Sequence, residues 1–295
     1  MMRNRVRSAR RISALAALAA AVIAVPLITI DRAGAASAGA DASPSTAAPR
    51  AAAPAAGAAS VTLPPAHANF DYQIGGAYTP PAGVRVVSRD HDDPPAAGLY
   101  NICYINAFQA QPGAESSWDS DLLLRDSSGK VVYDEDWGEA LLDTRTADKR
   151  TRIADKVDTW IDQCAAKGYQ AVEPDNYDSY SRSKKLLTSG EAESYITLLS
   201  AHAHAKGLAI AQKNTSELAG DRGATGLDFA VAEECGTYDE CGDYTDAFGN
   251  HVIVIEYTAK GLSKACSGWG SQLSIVRRDL DVSPAGSSGY VRQTC

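Results

Sequence analysis

From residue 70 to residue 255 the chain alternates short, β-branched apolar runs with longer stretches whose apolar residues recur at helical spacing. The runs fall at 70–75, 84–88, 99–105, 140–142, 169–172, 208–211, 229–232 and 252–255. Most are apolar throughout, the pattern of strands buried on both faces. Two clear helices lie between the later runs. Residues 146–166 carry Ile153, Val157, Trp160, Ile161 and Cys164 at helical spacing, and Gly168 supplies the stop. Residues 188–205 open on Thr188 and Glu191 at capping-box spacing and end before Gly207. Residues 121–137 differ: two alternating runs flank Ser127, Ser128 and Gly129, which predicts a hairpin. Eight strands with intervening helices predict an α/β fold, a single-domain (β/α)8 TIM barrel. An open doubly wound sheet is the alternative. No GxGxxG or GxxxxGK[ST] follows a run, which argues against its nucleotide-binding version.

The first 66 residues read differently. Arg3, Arg5, Arg7, Arg10 and Arg11 precede an apolar stretch, residues 12–30, and the small residues Ala33, Gly34 and Ala35. That order predicts a secretory signal peptide over 1–35, with an uncleaved anchor as the alternative. Residues 36–66 are built from Ala, Pro, Ser, Thr and Gly with almost no charge. Such a segment buries too little apolar area to offset its ordering entropy, so it is expected to be a disordered linker. The folded domain is expected at 67–295.

The whole chain of 295 residues carries a formal charge of −8. Residues 1–35 hold six arginines against Asp31, so cleavage would leave −13. An acidic surface attracts cations and repels polyanions, which argues against a nucleic-acid partner. The six cysteines are an even set, as expected for export to an oxidising compartment. Short loops favour Cys235 with Cys241 and Cys266 with Cys295, leaving Cys103 with Cys164.

Polar residues follow the apolar runs. Asp90, Asn106, Asp143, the 173–176 segment Glu-Pro-Asp-Asn, the 212–214 segment Gln-Lys-Asn, Glu233 with Glu234, and Glu256 with Tyr257 all sit there. In a parallel barrel these positions share the face where active sites are built. Asp143 is read as a helix cap instead. Several carboxylates around one Lys suit glycoside hydrolysis, which needs two carboxyl groups across an oxocarbenium-like transition state.

At residues 172–180, 211–214, 228–241 and 252–257 the chain resembles glycoside hydrolase family 114, the endo-α-1,4-polygalactosaminidase-like family. The resemblance implies a (β/α)8 barrel that cleaves α-1,4-linked galactosamine polymers, with no metal or organic cofactor. It places the catalytic pair on Asp175, as nucleophile, and Glu233, as general acid/base. Asp90, Tyr104, Asn106, Glu173, Asn176, Lys213, Asn214, Glu256 and Tyr257 become substrate-binding candidates, and Tyr72, Tyr104 and Tyr177 candidates for stacking on sugars. Where the family often has Gly-Glu after the third strand, this chain has Asn106-Ala107, which removes one carboxylate. Residues 273–276 and 290–295 lie outside the family motifs and read as a disulfide-tied C-terminal extension. The expected molecule is a secreted monomer, free of the membrane once the signal is cleaved, acting on an amino-sugar polysaccharide. A non-catalytic carbohydrate-binding barrel is the competing expectation.

Overall fold

A computed structural model describes residues 61–295. The expected signal peptide and residues 36–60 of the expected linker lie outside the described residues. In chain order the strands are β1 (Phe70–Gln73), β2 (Val86–Asp90), β3 (Tyr100–Asn106), β4 (Gln109–Ala110), β5 (Tyr133–Asp134), β6 (Glu139–Leu141), β7 (Ala171–Asp175), β8 (Ala209–Lys213), β9 (Phe229–Glu233), β10 (Val252–Glu256), β11 (Ser274–Arg278) and β12 (Arg292–Thr294). The α-helices are α1 (Ala147–Lys167), α2 (Ser179–Arg182), α3 (Ser189–Ala205), α4 (Arg222–Thr225), α5 (Cys235–Tyr238), α6 (Cys241–Phe248) and α7 (Ala259–Trp269).

Eight strands run parallel in the order β1-β2-β3-β7-β8-β9-β10-β11, and β12 adds antiparallel to β11. This is the (β/α)8 barrel that the strand and helix alternation predicts, with two changes of membership. Residues 140–142 are not a barrel strand. Ala140 and Leu141 belong to β6, which pairs antiparallel with β4 and β5 in a separate three-stranded sheet between β3 and α1, and Leu142 bridges Leu123. Residues 273–276, read as an extension, enter β11, the eighth barrel strand, whose Ser274, Ile275 and Val276 pair with Ile253, Val254 and Ile255. The 121–137 hairpin forms as expected, with Arg125 bridged to Val131.

Strand period sorts the core into two layers. Phe70, Tyr72, Val86, Ile102, Ala171, Ala209, Ala211, Phe229, Val231, Ile253, Ile255 and Val276 fill the barrel interior. Their neighbours Cys103, Ile105, Val172, Ile210, Ala230, Ala232, Val252 and Val254 meet the helices. α1 buries Ile153, Ala154, Val157, Ile161 and Cys164 on that outer layer. It starts where the Thr146 side chain accepts from the Lys149 N–H and stops at Gly168, φ 90°. The Thr188–Glu191 capping box opens α3. Val61 and Leu63, placed with the linker by composition, pack against the interior cluster, and Thr62 O accepts from Tyr100 OH at 2.6 Å. Order therefore extends at least six residues ahead of position 67.

Side chains bridge the seam between the first and last barrel strands. Ser274 Oγ accepts from the Ala68 N–H at 2.9 Å, and Arg292 donates to Phe70 O at 2.9 Å and to Asp71 at 3.1 Å. Three disulfides pin the outer layer: Cys103–Cys164 joins β3 to α1, Cys235–Cys241 joins α5 to α6, and Cys266–Cys295 ties α7 to the residue after β12. Among the described residues no helix is long and apolar enough to cross a membrane.

Candidate active site

β8 lies between β7 and β9, so its last residue stands between theirs. Those three residues are Asp175, Lys213 and Glu233. Each continues the inward-facing set of its strand: Ala171 and Glu173 before Asp175, Ala209 and Ala211 before Lys213, Phe229 and Val231 before Glu233. The Lys213 ammonium is 3.1 Å from Asp175 Oδ1, 3.5 Å from Glu233 Oε2 and 3.2 Å from Glu173 Oε1. It also lies 5.7 and 5.6 Å from the ring centroids of Tyr72 and Tyr104.

The site has a buried floor and an open upper layer. The Lys213 and Glu173 side chains are 1% and 0% exposed, whereas those of Asp175 and Glu233 are 17% and 25% exposed. Glu173 accepts from Tyr72 OH at 2.8 Å and from Ser88 Oγ at 2.7 Å. Glu173 and Lys213, candidates for contact with the sugar or for support behind it, are buried beneath the two carboxylates that reach solvent. Tyr104 OH donates to Asp175 Oδ2 at 2.5 Å, and the Asn176 N–H donates to Asp175 Oδ1 at 2.7 Å. Asn214 clasps Glu233 twice: its Nδ2 donates to Oε2 at 2.9 Å and its Oδ1 accepts from the Glu233 N–H at 2.8 Å. Tyr257 OH donates to Glu233 Oε1. Asn176 and Asn214 both hold positive φ, 66° and 53°, so the chain turns sharply where each strand end meets the site.

These contacts set the charges. Burial alone would push the Asp175 carboxyl up, but the Lys213 ammonium, Tyr104 hydroxyl and Asn176 N–H outweigh it and hold the group below its ordinary value. Burial would likewise strip Lys213 of its proton, but Asp175, Glu233 and Glu173 hold it well above the usual lysine value. Burial drives Glu173 the other way, upward, against the pull of Lys213. Tyr72, Tyr104 and Tyr257 are all pushed up, chiefly by burial, and so stay neutral O–H donors.

Asn106 and Asn176 sit beside this centre, joined by a bond of 3.0 Å from Asn176 Nδ2 to Asn106 Oδ1. Asp90 ends β2 opposite Tyr104, with its Oδ1 accepting from the Asp92 N–H of its own turn. Glu256 is not in the site. Ile255 pairs with Glu233 and shares its inward face, so Glu256 turns outward, where it is fully buried and accepts from the Gly236 N–H and from Thr237 Oγ1, both at 2.7 Å. Tyr72 and Tyr177 are buried too deeply to stack on a sugar; Tyr177 packs against Phe108 at 5.6 Å. Asp143, set aside as a cap, pairs with Arg145 at 2.7 Å and Lys149 at 2.6 Å.

One site residue escaped the sequence reading. Glu139, the first residue of β6, accepts from Asn106 Nδ2 at 2.9 Å and from Asn176 Nδ2 at 3.2 Å. It thus puts a carboxylate beside the end of β3, where Asn106-Ala107 lacks one. Its only signal in the sequence was that missing charge, since nothing in the hairpin pattern relates Glu139 to a strand end.

The outward carboxylate of Glu256 makes a separate expectation. A Cβ on Gly261 would overlap Glu256 Oε2 and Thr237 Oγ1, and one on Gly236 would come within 2.7 Å of Ala265 Cβ. Gly261→Ala is expected to cost about 1–3 kcal/mol through overpacking, read as a lower urea midpoint with unchanged slope.

Comparison with known proteins shows the family and the fold. The model of glycoside-hydrolase family GH114 matches residues 50–295. The crystal structure of Aspergillus fumigatus Ega3 in complex with galactosamine is 22% identical, with a TM-score of 0.65, covering 80% of this chain and 98% of that one. The glycoside hydrolase domain of PelA from Pseudomonas aeruginosa is 15% identical, with a TM-score of 0.50, covering 75% and 97%. No curated protein sequence matches the chain. With more than half its length matched by the family model, the chain belongs to glycoside-hydrolase family GH114 and is a glycoside hydrolase on a (β/α)8 barrel.

Proposed function

We propose that the protein is a secreted, endo-acting hydrolase of α-1,4-linked galactosamine-type polysaccharide that works through the carboxylates of Asp175 and Glu233. One observation carries the reading: a single buried ammonium, Lys213, holds these two solvent-reaching carboxylates together at the barrel mouth. A nitrogen 3.1 Å from one oxygen and 3.5 Å from the other limits their separation to the sum of those distances. That limit, which applies to Asp175 Oδ1 and Glu233 Oε2, admits the ~5–5.5 Å spacing of retaining enzymes, the geometry adopted in this reading.

In this mechanism Asp175, kept ionised, attacks the anomeric carbon as the glycosidic C–O bond breaks. Glu233 gives its proton to the leaving oxygen. Glu233 then takes a proton from water, whose oxygen attacks the same carbon and frees Asp175. Tyr104 and Asn176 orient the nucleophile, and Asn214 and Tyr257 orient the acid. The galactosamine complex of the Ega3 structure and the acidic charge of this chain support a cationic amino-sugar substrate. The three disulfides and the N-terminal signal pattern support secretion.

Mass spectrometry of products from galactosamine, N-acetylgalactosamine and glucosamine polymers tests the reading. Oligosaccharide ladders from a galactosamine polymer are expected. Binding without any cleavage would leave the non-catalytic barrel as the better account. A second measurement is ionic strength: kcat/KM on the free-amine polymer is expected to fall steeply as salt rises from 0.05 to about 0.5 M, because long-range attraction is screened. Salt-independent turnover would contradict a polycationic substrate.

A further inference from the structure

We propose that Glu139, carried by the three-stranded sheet outside the barrel, reads the free amino group of the sugar bound over Asp175. The inference rests on the reading of the site as an amino-sugar hydrolase and deepens it.

The carboxylates around the site are distinguished by their counter-ions. Glu173, Asp175 and Glu233 share Lys213, and Asp134 has Arg182 at 2.7 Å. Glu139 has no such partner within ion-pair distance among the described residues; nearby Arg182 is paired with Asp134 and Asp178 and acts on Glu139 only from further off. Its Oε2 is held by neutral amides only, Asn106 at 2.9 Å and Asn176 at 3.2 Å. With its amide turned so that its oxygen accepts from Ser179 Oγ, Gln109 adds a third donor at 3.0 Å. The amides therefore saturate one oxygen, and Oε1 has no hydrogen-bond partner among the described residues. A half-buried carboxylate in that state lacks a cation in direct contact, Arg182 being committed to Asp134 and Asp178.

The position fits the missing cation to the substrate. Asn106 is the register partner of Asp175, and Asn176 follows it directly. Glu139 is thus one amide away from the carboxylate that meets the anomeric carbon. In a 2-amino sugar the ammonium sits on the very next ring carbon. Burial, with the negative charges of Asp175 and Asp134 and despite the Asn106 bond and the charge of Arg182, pushes the Glu139 carboxyl up to about 7. A bound ammonium would reverse that push and leave the pair ionised. Acetylation removes the charge and the donors, so this contact favours deacetylated sugar.

The test is Glu139→Gln, which keeps an oxygen for Asn106 and Asn176 but loses the charge. Calorimetric titration with galactosamine and N-acetylgalactosamine oligosaccharides gives the affinity ratio, and kcat/KM on the two polymers gives the turnover ratio. Both ratios, free amine over acetylated, are expected to fall roughly 10-fold or more, the loss typical of a charge-assisted contact. Glu139→Asp is expected to keep part of the preference. Equal losses on both ligands would show that Glu139 only positions Asn176, and no loss on either would show that it contacts no amine; either overturns the proposal. If the wild type cleaves neither polymer, the proposed activity fails, while the affinity ratio still judges Glu139.

Discussion

Asp175→Asn and Glu233→Gln are each expected to lower kcat on galactosamine polymer by about 10³-fold or more, while oligosaccharide binding stays within a few-fold of wild type. The reason is the division of labour in the site. Asp175 receives the Tyr104 hydroxyl, the Asn176 N–H and the Lys213 ammonium, an arrangement that stabilises a carboxylate and therefore a nucleophile. An asparagine there keeps the shape and loses the attacking oxygen. Glu233 is the more exposed of the two and is clasped by Asn214 and Tyr257, which fix its direction without removing it from solvent. A glutamine there keeps the shape and, with the Tyr257 hydroxyl turned to accept from its NH2, both contacts, but has no acidic proton to give. The two variants should also separate by substrate. Glu233→Gln should lose least on a sugar fluoride, whose leaving group needs no protonation, whereas Asp175→Asn should lose on every substrate.

The second large effect is expected for Lys213→Met. Lys213 is fully buried among Glu173, Asp175 and Glu233, so the variant leaves three carboxylates around an apolar side chain. Removing one partner of a buried ionic cluster costs about 3–5 kcal/mol, which denaturant titration would read as a lowered midpoint. The pH profile should move as well. Burial, the largest influence on Asp175, pushes its carboxyl up, and Lys213 is the strongest force opposing it. Without the ammonium, the Asp175 carboxyl rises and stays protonated to higher pH. The acid limb of kcat/KM should therefore shift toward higher pH in Lys213→Met. An unmoved acid limb would mean that Lys213 supports the fold without setting the charge of Asp175.

Much of this was legible because strand period and barrel topology act together. In the strand ends Ala-Val-Glu-Pro-Asp, Ala-Ile-Ala-Gln-Lys and Phe-Ala-Val-Ala-Glu, every second residue faces inward, which brings Glu173, Asp175, Lys213 and Glu233 to one place. The same rule exposes the misplacement of Glu256. In Val-Ile-Val-Ile-Glu the inward set is Ile253 and Ile255, and the next inward residue is Tyr257. Reading the first polar residue after a run as the site residue ignores that parity. The exchange of 140–142 for 273–276 has another cause. Both are short apolar runs, and only tertiary pairing tells an antiparallel hairpin strand from a barrel strand. Glu139 was hidden for the same reason, because its place depends on how the three-stranded sheet folds back over β3 and β7.

The most direct measurement uses Glu233→Gln with an activated galactosaminyl fluoride, followed by peptide mapping by mass spectrometry. Formation of the first bond needs no acid on that substrate, but release of the sugar needs the missing base. A galactosaminyl group is therefore expected to accumulate as an ester on the peptide that contains Asp175. A label on a different residue, or fluoride release with no labelled peptide and an inverted product, would contradict the claim that Asp175 is the nucleophile and Glu233 the acid/base of a retaining pair.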